Sequence, residues 1–320
     1  MAKVNKYAIG VDLGGTFIKA GVVSSSGKIV EKISIDSKAD KGPKAVIKQI
    51  EKAISQLQDT TDVKIQGIGI GAPGVISIKK GTVENPPNLP GWGRVHLGKI
   101  VSDATGIPTF VENDANAAAV GEKIFGAGKD YDSFIMVTLG TGVGGGIILN
   151  RKLYRGDTGA AGELGHIVID HNGPLCGCGA TGCIEAYAGN KYIIQETTTM
   201  LEKEKNSMLW ELTAGDLATL TPKLISEAAG KGDDFAIRVV KLLGFRLGVA
   251  FSTVANLLDV TVFIVGGGVA GFGDLLFNQI HETTKARVLT SLKPRVHILP
   301  AKLKNEAGIQ GASALVFMEK

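Results

Sequence analysis

Short apolar stretches separated by glycine and serine turns open the chain, and this pattern predicts an antiparallel sheet. The apolar stretches are residues 7–11, 17–23 and 29–35. Apolar residues in 43–58 then recur at the spacing of a helix. Two further apolar runs, 65–71 and 109–112, predict buried strands, and the second leads into an alanine-rich helix that begins near Ala115. This half of the chain is therefore predicted to alternate strands and helices.

The hydrophobic pattern of residues 9–23 returns in residues 135–149. In both stretches a strand ends in leucine and glycine, at positions 13–14 and 139–140, and a second strand follows the turn. Each copy opens a run of strands that leads into alternating strands and helices, which is typical of α/β domains. The sequence therefore predicts an internally duplicated α/β protein whose two domains face one another across a cleft.

The second half supplies the remaining elements and the domain boundaries. Its predicted strands are residues 134–137, 146–149, 167–169 and 260–265, and its predicted helices are residues 234–257 and 308–318. We expect the last helix to return and pack on the first domain. The smaller domain is accordingly predicted to comprise residues 1–117 with 305–320, and the larger one residues 118–304.

Composition and charge narrow the classes of function. The chain has 320 residues, of which 44% are hydrophobic and 21% charged, as in ordinary soluble globular proteins. Its formal net charge is +4, but no block of five like charges occurs, so we expect no nucleic-acid partner. Neither a hydrophobic signal region nor an apolar run of membrane-spanning length is present. The expected location is the cytoplasm, without a membrane partner.

The paired glycine turns are candidates for binding a nucleotide. One such turn alone is equally well an ordinary hairpin, but two turns whose glycines expose backbone N–H groups predict a clasp for a phosphate tail. Asp12 lies at a strand end, where it could hold Mg²⁺ through water, and the glycine run after strand 260–265 is a candidate seat for adenosine. The predicted nucleotide-binding residues are Asp12, Gly14, Gly15, Thr16, Lys19, Gly140, Thr141, Gly142, Gly266 and Gly267.

A carboxylate stands where the strand 109–112 becomes a helix. Asp114 has two readings: it is an N-cap of the helix, or it accepts the proton of a substrate hydroxyl that attacks a γ-phosphoryl group. The two roles are compatible, and the paired phosphate turns favour the catalytic one. Asn113 beside it would then hydrogen-bond a neighbouring hydroxyl.

All three cysteines of the chain fall within eight residues, at positions 176, 178 and 183. His166 precedes them, and three thiolates with one imidazole form the donor set of a closed structural zinc site. The alternatives are a chance cluster of buried thiols, or one disulfide with a spare cysteine. The Cys-x-Cys-x₄-Cys spacing and a reducing compartment favour the metal.

The predicted zinc loop also carries candidate ligands for several hydroxyl groups. Glu163 and Glu185 flank the predicted zinc ligands, so a bound ion would fix both carboxylates and the edge of the imidazole of His166. Four protein ligands leave no open position for water, which excludes hydrolysis at this zinc. Two loops, 71–74 and 85–92, would add the backbone at Gly74 and the amide of Asn88 as further sugar contacts.

Taken together, these motifs resemble the ROK family of sugar kinases and repressors, most closely its bacterial glucokinases. The resemblance runs nearly end to end and in family order. It rests on the motifs at residues 12–16, 112–116, 139–142, 163–166 and 176–185. One departure is small: glycine stands at position 189, where the family often has serine.

The resemblance implies a two-lobed, actin-like ATPase fold of the ribonuclease H-like type, with Mg·ATP in the central cleft. It implies phosphorylation of the 6-hydroxyl of glucose with Asp114 as the base. Asn113, Glu163, His166 and Glu185 resemble the sugar ligands of the family. The residues that resemble its structural zinc site are His166, Cys176, Cys178 and Cys183.

Several alternatives stay open at the level of sequence. The substrate is glucose or another hexose, such as mannose, fructose or an N-acetylated amino sugar, and the phosphoryl donor is ATP or polyphosphate. A non-catalytic sugar sensor with the same fold is the alternative outside the enzymes, and the intact Asp114 argues against it. We expect a homo-oligomer, either a dimer or a tetramer.

Overall fold

The computed structural model describes residues 6–77, 81–86 and 88–318, which form two five-stranded sheets, one three-stranded sheet and the helices around them. The strands are β1 (Tyr7–Leu13), β2 (Phe17–Ser24), β3 (Ile29–Asp36), β4 (Ile65–Ala72), β5 (Val75–Ser77), β6 (Thr82–Glu84), β7 (Arg94–Val95), β8 (Thr109–Asn113), β9 (Phe134–Leu139), β10 (Val143–Leu149), β11 (Lys152–Tyr154), β12 (Val262–Gly266) and β13 (His297–Pro300). The helices are α1 (Pro43–Asp59), α2 (Leu97–Thr105), α3 (Asp114–Ile124), α4 (Glu185–Ala188), α5 (Asn190–Leu201), α6 (Leu209–Leu212), α7 (Pro222–Gly230), α8 (Asp234–Leu258), α9 (Asp274–Arg287) and α10 (Ala307–Met318).

The two large sheets have the same topology. The first has the order β3-β2-β1-β4-β8, and the second has the order β11-β10-β9-β12-β13. In the first, β1, β2 and β3 are antiparallel neighbours, whereas β1, β4 and β8 run parallel. In the second, β10 and β11 are antiparallel, and β9, β12 and β13 run parallel. The predicted internal duplication is confirmed.

The chain separates into two compact units. The first comprises the described residues of Met1–Asp132, Gly146–Gly162 and Lys302–Lys320, and the second comprises Ser133–Gly145 and Glu163–Ala301. Compared with the division predicted from the sequence, the first unit takes in residues up to 132 and a further segment, 146–162. The chain thus passes between the units within β10 as well as at residues 132, 162 and 301.

The C-terminal helix α10 packs into the core of the first unit, as the sequence predicted. Its backbone lies directly on β1 and β4 at two glycines. A Cβ on Gly10 would overlap the carbonyl of Ile309, and a Cβ on Gly69 would overlap the carbonyl of Ala312. Glycine is required at both positions because the helix backbone occupies the space of a side chain.

Most predicted elements occur with small shifts at their ends, and one predicted strand is wrong. Residues 167–169 form no strand: Val168 makes an isolated antiparallel bridge to Cys183, and a 3₁₀ helix, Leu164–His166, precedes it. The apolar side chains of this stretch indicate a strand, yet Val168 is 51% exposed. The sequence also missed the three-stranded sheet β5-β6-β7, because its strands are only two or three residues long.

Long helices cover the second sheet. The ring of Phe251 on α8 stacks on that of Phe263 on β12, with 4.5 Å between their centroids. Close contact of α8 with α9 is possible because Gly244 and Gly248 face the neighbouring helix. None of the helices in the described part of the chain combines the length and the apolar character that a membrane span requires.

Candidate functional site

Asn113 and Asp114 lie where β8 ends and α3 begins. The structure places Asn113, rather than Asp114, at the N-cap, where its Oδ1 accepts from the backbone N–H groups of Ala115 and Asn116 at 3.0 and 3.2 Å. Asp114 is the first residue of the helix and is exposed. The reading of Asp114 as the N-cap is therefore wrong, since Asn113 makes the capping bonds. Asp114 lies in the first turn of the helix, where a negative charge interacts favourably with the helix dipole.

A buried carboxylate, that of Glu112, hydrogen-bonds the residues at this strand end. Glu112 is 2% exposed, and its Oε1 accepts from the backbone N–H of Asn113 at 2.9 Å and from Nδ2 of Asn116 at 3.1 Å. Its Oε2 accepts from Nε of Arg155 at 2.8 Å. Both oxygens thus hold groups that surround the candidate base. Sequence reasoning missed Arg155, because nothing near it in the chain marks it as a partner of Glu112.

Asp12 lies at the same edge of the first sheet. In the strand register Asp12 is opposite Gly71, and Gly71 is opposite Glu112, so the ends of β1, β4 and β8 form one row. Burial raises the pKa of the Asp12 carboxyl above its ordinary value, and the positive charge of Lys19 partly offsets this effect. A Cβ on Gly308 would overlap the Asp12 carboxylate, so the start of α10 lies against it. The sequence contained no signal for Gly308.

The first glycine turn meets one of the candidate sugar contacts. A Cβ on Gly15 would lie 3.0 Å from both Cβ and the carbonyl oxygen of Asn88. The backbone N–H of Gly14 donates to the carbonyl of Phe17 at 3.0 Å and is engaged within the turn itself. Thr16, at the tip of the turn, and Lys19, on β2, have exposed side chains.

Gly74 also lies beside the candidate base. Its φ is +90°, and a Cβ at this position would lie 2.9 Å from Cα of Pro86. The carbonyl of Gly74 accepts from Nδ2 of Asn113 at 3.3 Å. The first unit therefore brings together Gly74, Asn113 and Asp114, and it separately brings Asn88 to Gly15.

The cysteine cluster of the second unit has the geometry of a metal site. One donor atom from each of His166, Cys176, Cys178 and Cys183 lies within 4.8 Å of all the others. The sulfurs of Cys178 and Cys183 are 3.8 Å apart. A tetrahedral zinc with Zn–S bonds of about 2.3 Å separates its sulfur ligands by about 3.8 Å. The residues present therefore fit a structural zinc ion in both donor chemistry and spacing.

The environment of the three thiols differs from one to the next. Burial raises the pKa of Cys176, and it raises the pKa of Cys183 to about 12. A backbone hydrogen bond at Ala180 lowers the pKa of Cys178, which is exposed. Without a cation the buried thiols keep their protons, whereas a bound metal takes thiolates as ligands.

The imidazole of His166 faces two ways. Its Nδ1 lies 3.8 Å from Sγ of Cys176, and its Nε2 lies 3.9 Å from Oε2 of Glu163. One ring nitrogen thus faces the metal donors while the other faces the first candidate sugar carboxylate. Glu163 is 59% exposed, so its carboxylate is open to a ligand.

Glu185 connects the cysteine cluster to the second glycine turn. Its Oε1 accepts from Sγ of Cys176 at 3.9 Å, and its Oε2 accepts from the backbone N–H of Val143 at 3.0 Å. A Cβ on Gly142 would overlap Oε2 of Glu185. The candidate sugar ligand and the candidate phosphate turn are therefore in direct contact within the second unit.

The predicted adenosine segment meets the same turn. Gly266 on β12 pairs with Thr138 on β9. Gly267 has φ of +92°, and a Cβ there would overlap the carbonyl of Leu139, the residue before the turn. Only glycine combines this left-handed conformation with so close an approach. The second unit thus gathers the glycine run, the second turn and the predicted zinc loop.

Comparison with known proteins gives one consistent result. A model described as the ROK family matches residues 8–319. The glucokinase of Thermotoga maritima is 36% identical over 308 residues, which cover 96% of each chain. The xylose repressor of Caldicellulosiruptor bescii is 30% identical over 328 residues, which cover 100% of this chain and 81% of that protein.

A solved structure has the same fold over nearly the full length. It is a ROK family glucokinase from Streptomyces griseus in complex with glucose and AMPPNP, 37% identical to this chain. The match covers 98% of this chain and 99% of that one, with a TM-score of 0.84. The fold is therefore that of the actin-like ATPases to which the ROK sugar kinases belong, as the sequence predicted.

Proposed function

Since the chain belongs to the ROK family, we propose that it is an ATP-dependent sugar kinase that phosphorylates the 6-hydroxyl of glucose. The observation that carries the proposal is the placement of Asp114. It is an exposed carboxylate at the start of α3, at the sheet edge that also holds Asp12, and the first glycine turn directly follows β1. Phosphoryl transfer to a hydroxyl needs a positioned acceptor for the proton, and an exposed carboxylate at this sheet edge can supply one.

In the proposed reaction, Asp114 accepts the proton of the 6-hydroxyl as its oxygen attacks the γ-phosphorus of ATP. The bond from the γ-phosphorus to the bridging oxygen breaks, and ADP leaves with that electron pair. Asn113 hydrogen-bonds a neighbouring sugar hydroxyl through its side-chain amide. Glu112 holds the Asn113 backbone in place and does not touch the substrate.

The remaining hydroxyl ligands of the proposal are Glu163, His166 and Glu185. Carboxylates and an imidazole nitrogen suit this role because each can accept a hydrogen bond from a sugar hydroxyl. A structural zinc would be held by His166, Cys176, Cys178 and Cys183. When bound, it would fix the loop that presents the two carboxylates and the imidazole. Gly74 and Asn88 complete the proposed sugar contacts.

The nucleotide would lie against the two glycine turns and the run at Gly266 and Gly267. Asp12 would hold Mg²⁺ through water, and that ion would neutralise charge that develops on the phosphates. Burial of Asp12 raises its pKa, because the ionised carboxylate is partly removed from water. A cation at this carboxylate would offset the free-energy cost of keeping it ionised in the folded protein.

Initial rates of ADP release across a panel of hexoses test the proposal. The panel contains glucose, mannose, fructose and N-acetylated amino sugars, each with ATP; parallel reactions with polyphosphate as the donor are followed by formation of the sugar phosphate, because that donor releases no ADP. We expect glucose with ATP to give the highest kcat/KM. A clear preference for an acetylated sugar would overturn the glucose assignment while leaving a sugar kinase.

A second candidate is a sugar-binding protein without catalysis, favoured by the match to a xylose repressor. Asp114 argues for the enzyme, because binding alone needs no base beside the glycine turn. Tight hexose binding in calorimetry, together with no release of ADP from ATP in the presence of any sugar of the panel, would support the binding protein and overturn the kinase.

A further inference from the structure

Glu185 uses its two oxygens on two different parts of the second unit. Oε1 faces the thiol of Cys176 in the predicted zinc loop, and Oε2 accepts from the backbone N–H of Val143, the first residue of β10. The hydrogen bond joins residues that lie 42 positions apart in the chain. A charged acceptor on a backbone N–H is among the stronger hydrogen bonds in proteins. The carboxylate therefore has a structural link to the turn that precedes β10.

The space around the second turn shows how closely Glu185 fits against it. A methyl group on Gly142 would overlap Oε2 of Glu185. A methyl group on Gly140, two residues earlier, would meet nothing within 4 Å. Of these two glycines of one turn, only Gly142 has a Cβ position that contacts the carboxylate of Glu185.

Backbone contacts from the segment after α4 also hold the second glycine turn in place. The N–H of Asn190 donates to the carbonyl of Gly140 at 2.9 Å, and a Cβ on Gly189 would lie 2.9 Å from the carbonyl of Thr141. The end of α4 and the start of α5 therefore contact backbone carbonyls of the turn. A shift of Glu185, the first residue of α4, is transmitted to the turn through these contacts.

We propose that Glu185 is a positioning residue for the nucleotide-binding turn as well as a sugar ligand, so that one carboxylate couples the two binding sites. This inference rests on the proposed function for the identity of the ligands. It adds that the turn Gly140–Val143 is held in its phosphate-binding conformation by the same side chain that receives a sugar hydroxyl. Coupling of this kind acts in both directions, because the linkage between two binding equilibria is reciprocal.

The first test measures sugar binding without nucleotide. Isothermal calorimetry with glucose compares Gly142→Ala with Gly230→Ala, a variant that adds the same methyl group at the end of α7, where it meets nothing within 4 Å. We expect Gly142→Ala to weaken glucose binding about tenfold, because it displaces Glu185, and Gly230→Ala to match the wild type. Equal glucose affinity in the two variants would overturn the proposal.

The second test measures nucleotide binding without sugar. Titration with a fluorescent ATP analogue compares Glu185→Ala, Glu185→Gln and Glu163→Ala, with zinc content and melting temperature recorded for each. We expect Glu185→Ala to weaken nucleotide binding about tenfold, since the N–H of Val143 loses its acceptor. Glutamine keeps an acceptor oxygen, so Glu185→Gln should restore most of the affinity. Glu163→Ala removes the other carboxylate, which does not touch the turn, and should leave nucleotide affinity unchanged.

The two tests separate this inference from the proposed function. If the wild type binds nucleotide but no hexose, the sugar kinase is wrong, and the three carboxylate variants still decide the role of Glu185 at the turn. If the wild type binds both ligands and Glu185→Ala keeps the wild-type nucleotide affinity at full zinc content, the positioning role is wrong and the kinase stands.

Discussion

Nε of Arg155 lies 2.8 Å from Oε2 of Glu112. Asn113 and the candidate general base Asp114 follow Glu112 directly in the chain. The Glu112 side chain is 3% exposed and that of Arg155 is 29% exposed. The pair is therefore a largely buried charge contact at the edge of the sheet. It holds the segment after β11 against the strand that leads into the candidate site residues.

Replacing Arg155 by methionine should destabilise the first unit. The buried Glu112 carboxylate would lose its charged partner, and loss of one partner of a buried ion pair costs about 2–3 kcal/mol when other hydrogen bonds to the remaining charge are kept. Urea unfolding measures this cost. Arg94→Met is the matched control, since the Arg94–Glu84 pair is also close, at 2.8 Å, but Arg94 is 65% exposed. That variant should lose less than about 1 kcal/mol. Equal losses would show that the buried pair has no special role.

Asp114→Asn should abolish most of the catalysis and keep the fold. Removal of a general base typically lowers the rate by about 10²–10⁴-fold. Asparagine has nearly the same size and retains an acceptor for the backbone N–H of Ala115, which Asp114 Oδ1 accepts at 2.8 Å. We expect hexose binding and the melting temperature to stay close to those of the wild type. Asp103→Asn, at an exposed ion pair with Lys99, serves as the control. Sugar phosphorylation near the wild-type rate in Asp114→Asn would show that another group is the base.

Asp12→Asn should stabilise the metal-free protein at neutral pH. Burial raises the pKa of this carboxyl in the folded state above its ordinary value of 3.8, so the ionised form is disfavoured by folding. Below pH 3.8 the group is protonated in both states and contributes nothing. As the pH rises through the folded-state pKa, the wild type loses stability that the asparagine variant keeps. Melting temperatures from acidic to neutral pH measure the difference.

The same variant also tests the role of Asp12 with magnesium. Addition of Mg·ATP should raise the melting temperature of the wild type more than that of Asp12→Asn, because the carboxylate is needed for the metal. Asp40→Asn, at an exposed position, should behave as the wild type at every pH. If the melting temperatures of Asp12→Asn and the wild type differed by the same amount at all pH values, the assigned effect of burial on Asp12 would be contradicted.

Removal of zinc should loosen the second unit. We expect about one zinc ion per chain by metal analysis, and chelation should lower the melting temperature by roughly 5–10 °C, since ligand binding in a structural site contributes folding energy. Glucose binding should weaken in parallel, because the loop presents Glu163, His166 and Glu185. Cys183→Ser should reproduce both effects, whereas Thr181→Ala, in the same loop, should reproduce neither. Active protein without zinc would refute the structural role of the metal.

The sequence predicted those elements whose cause is local. Apolar stretches between glycine and serine turns predicted β1, β2 and β3, and helical spacing predicted α1, because each pattern is contained within one element. The prediction of a strand at 167–169 was wrong because it too rested on a local pattern alone. Its apolar residues match a strand locally, but the loop that holds the cysteines leaves Val168 exposed.

The chemistry of the candidate site was likewise visible in the sequence. Cys-x-Cys-x₄-Cys with a histidine upstream predicts a metal site from donor types and spacing, and the structure places those four donors within 4.8 Å of one another. The Asn113-Asp114 step was also identified, although the structure assigns the N-cap to Asn113. Which ligand each residue binds stays a prediction.

Partners of the site residues were decided only by the tertiary structure. Glu112 meets Arg155 at a separation of 43 residues, Glu185 meets Val143 at 42 residues, and Asp12 meets Gly308 near the other end of the chain. Side-chain pattern reports on neighbours along one strand or helix, whereas these contacts depend on strand register and on where helices dock. The amino-acid sequence by itself therefore determined several of the long strands and helices, the internal duplication and the donor groups. Their mutual support arises from packing between segments that no local pattern connects.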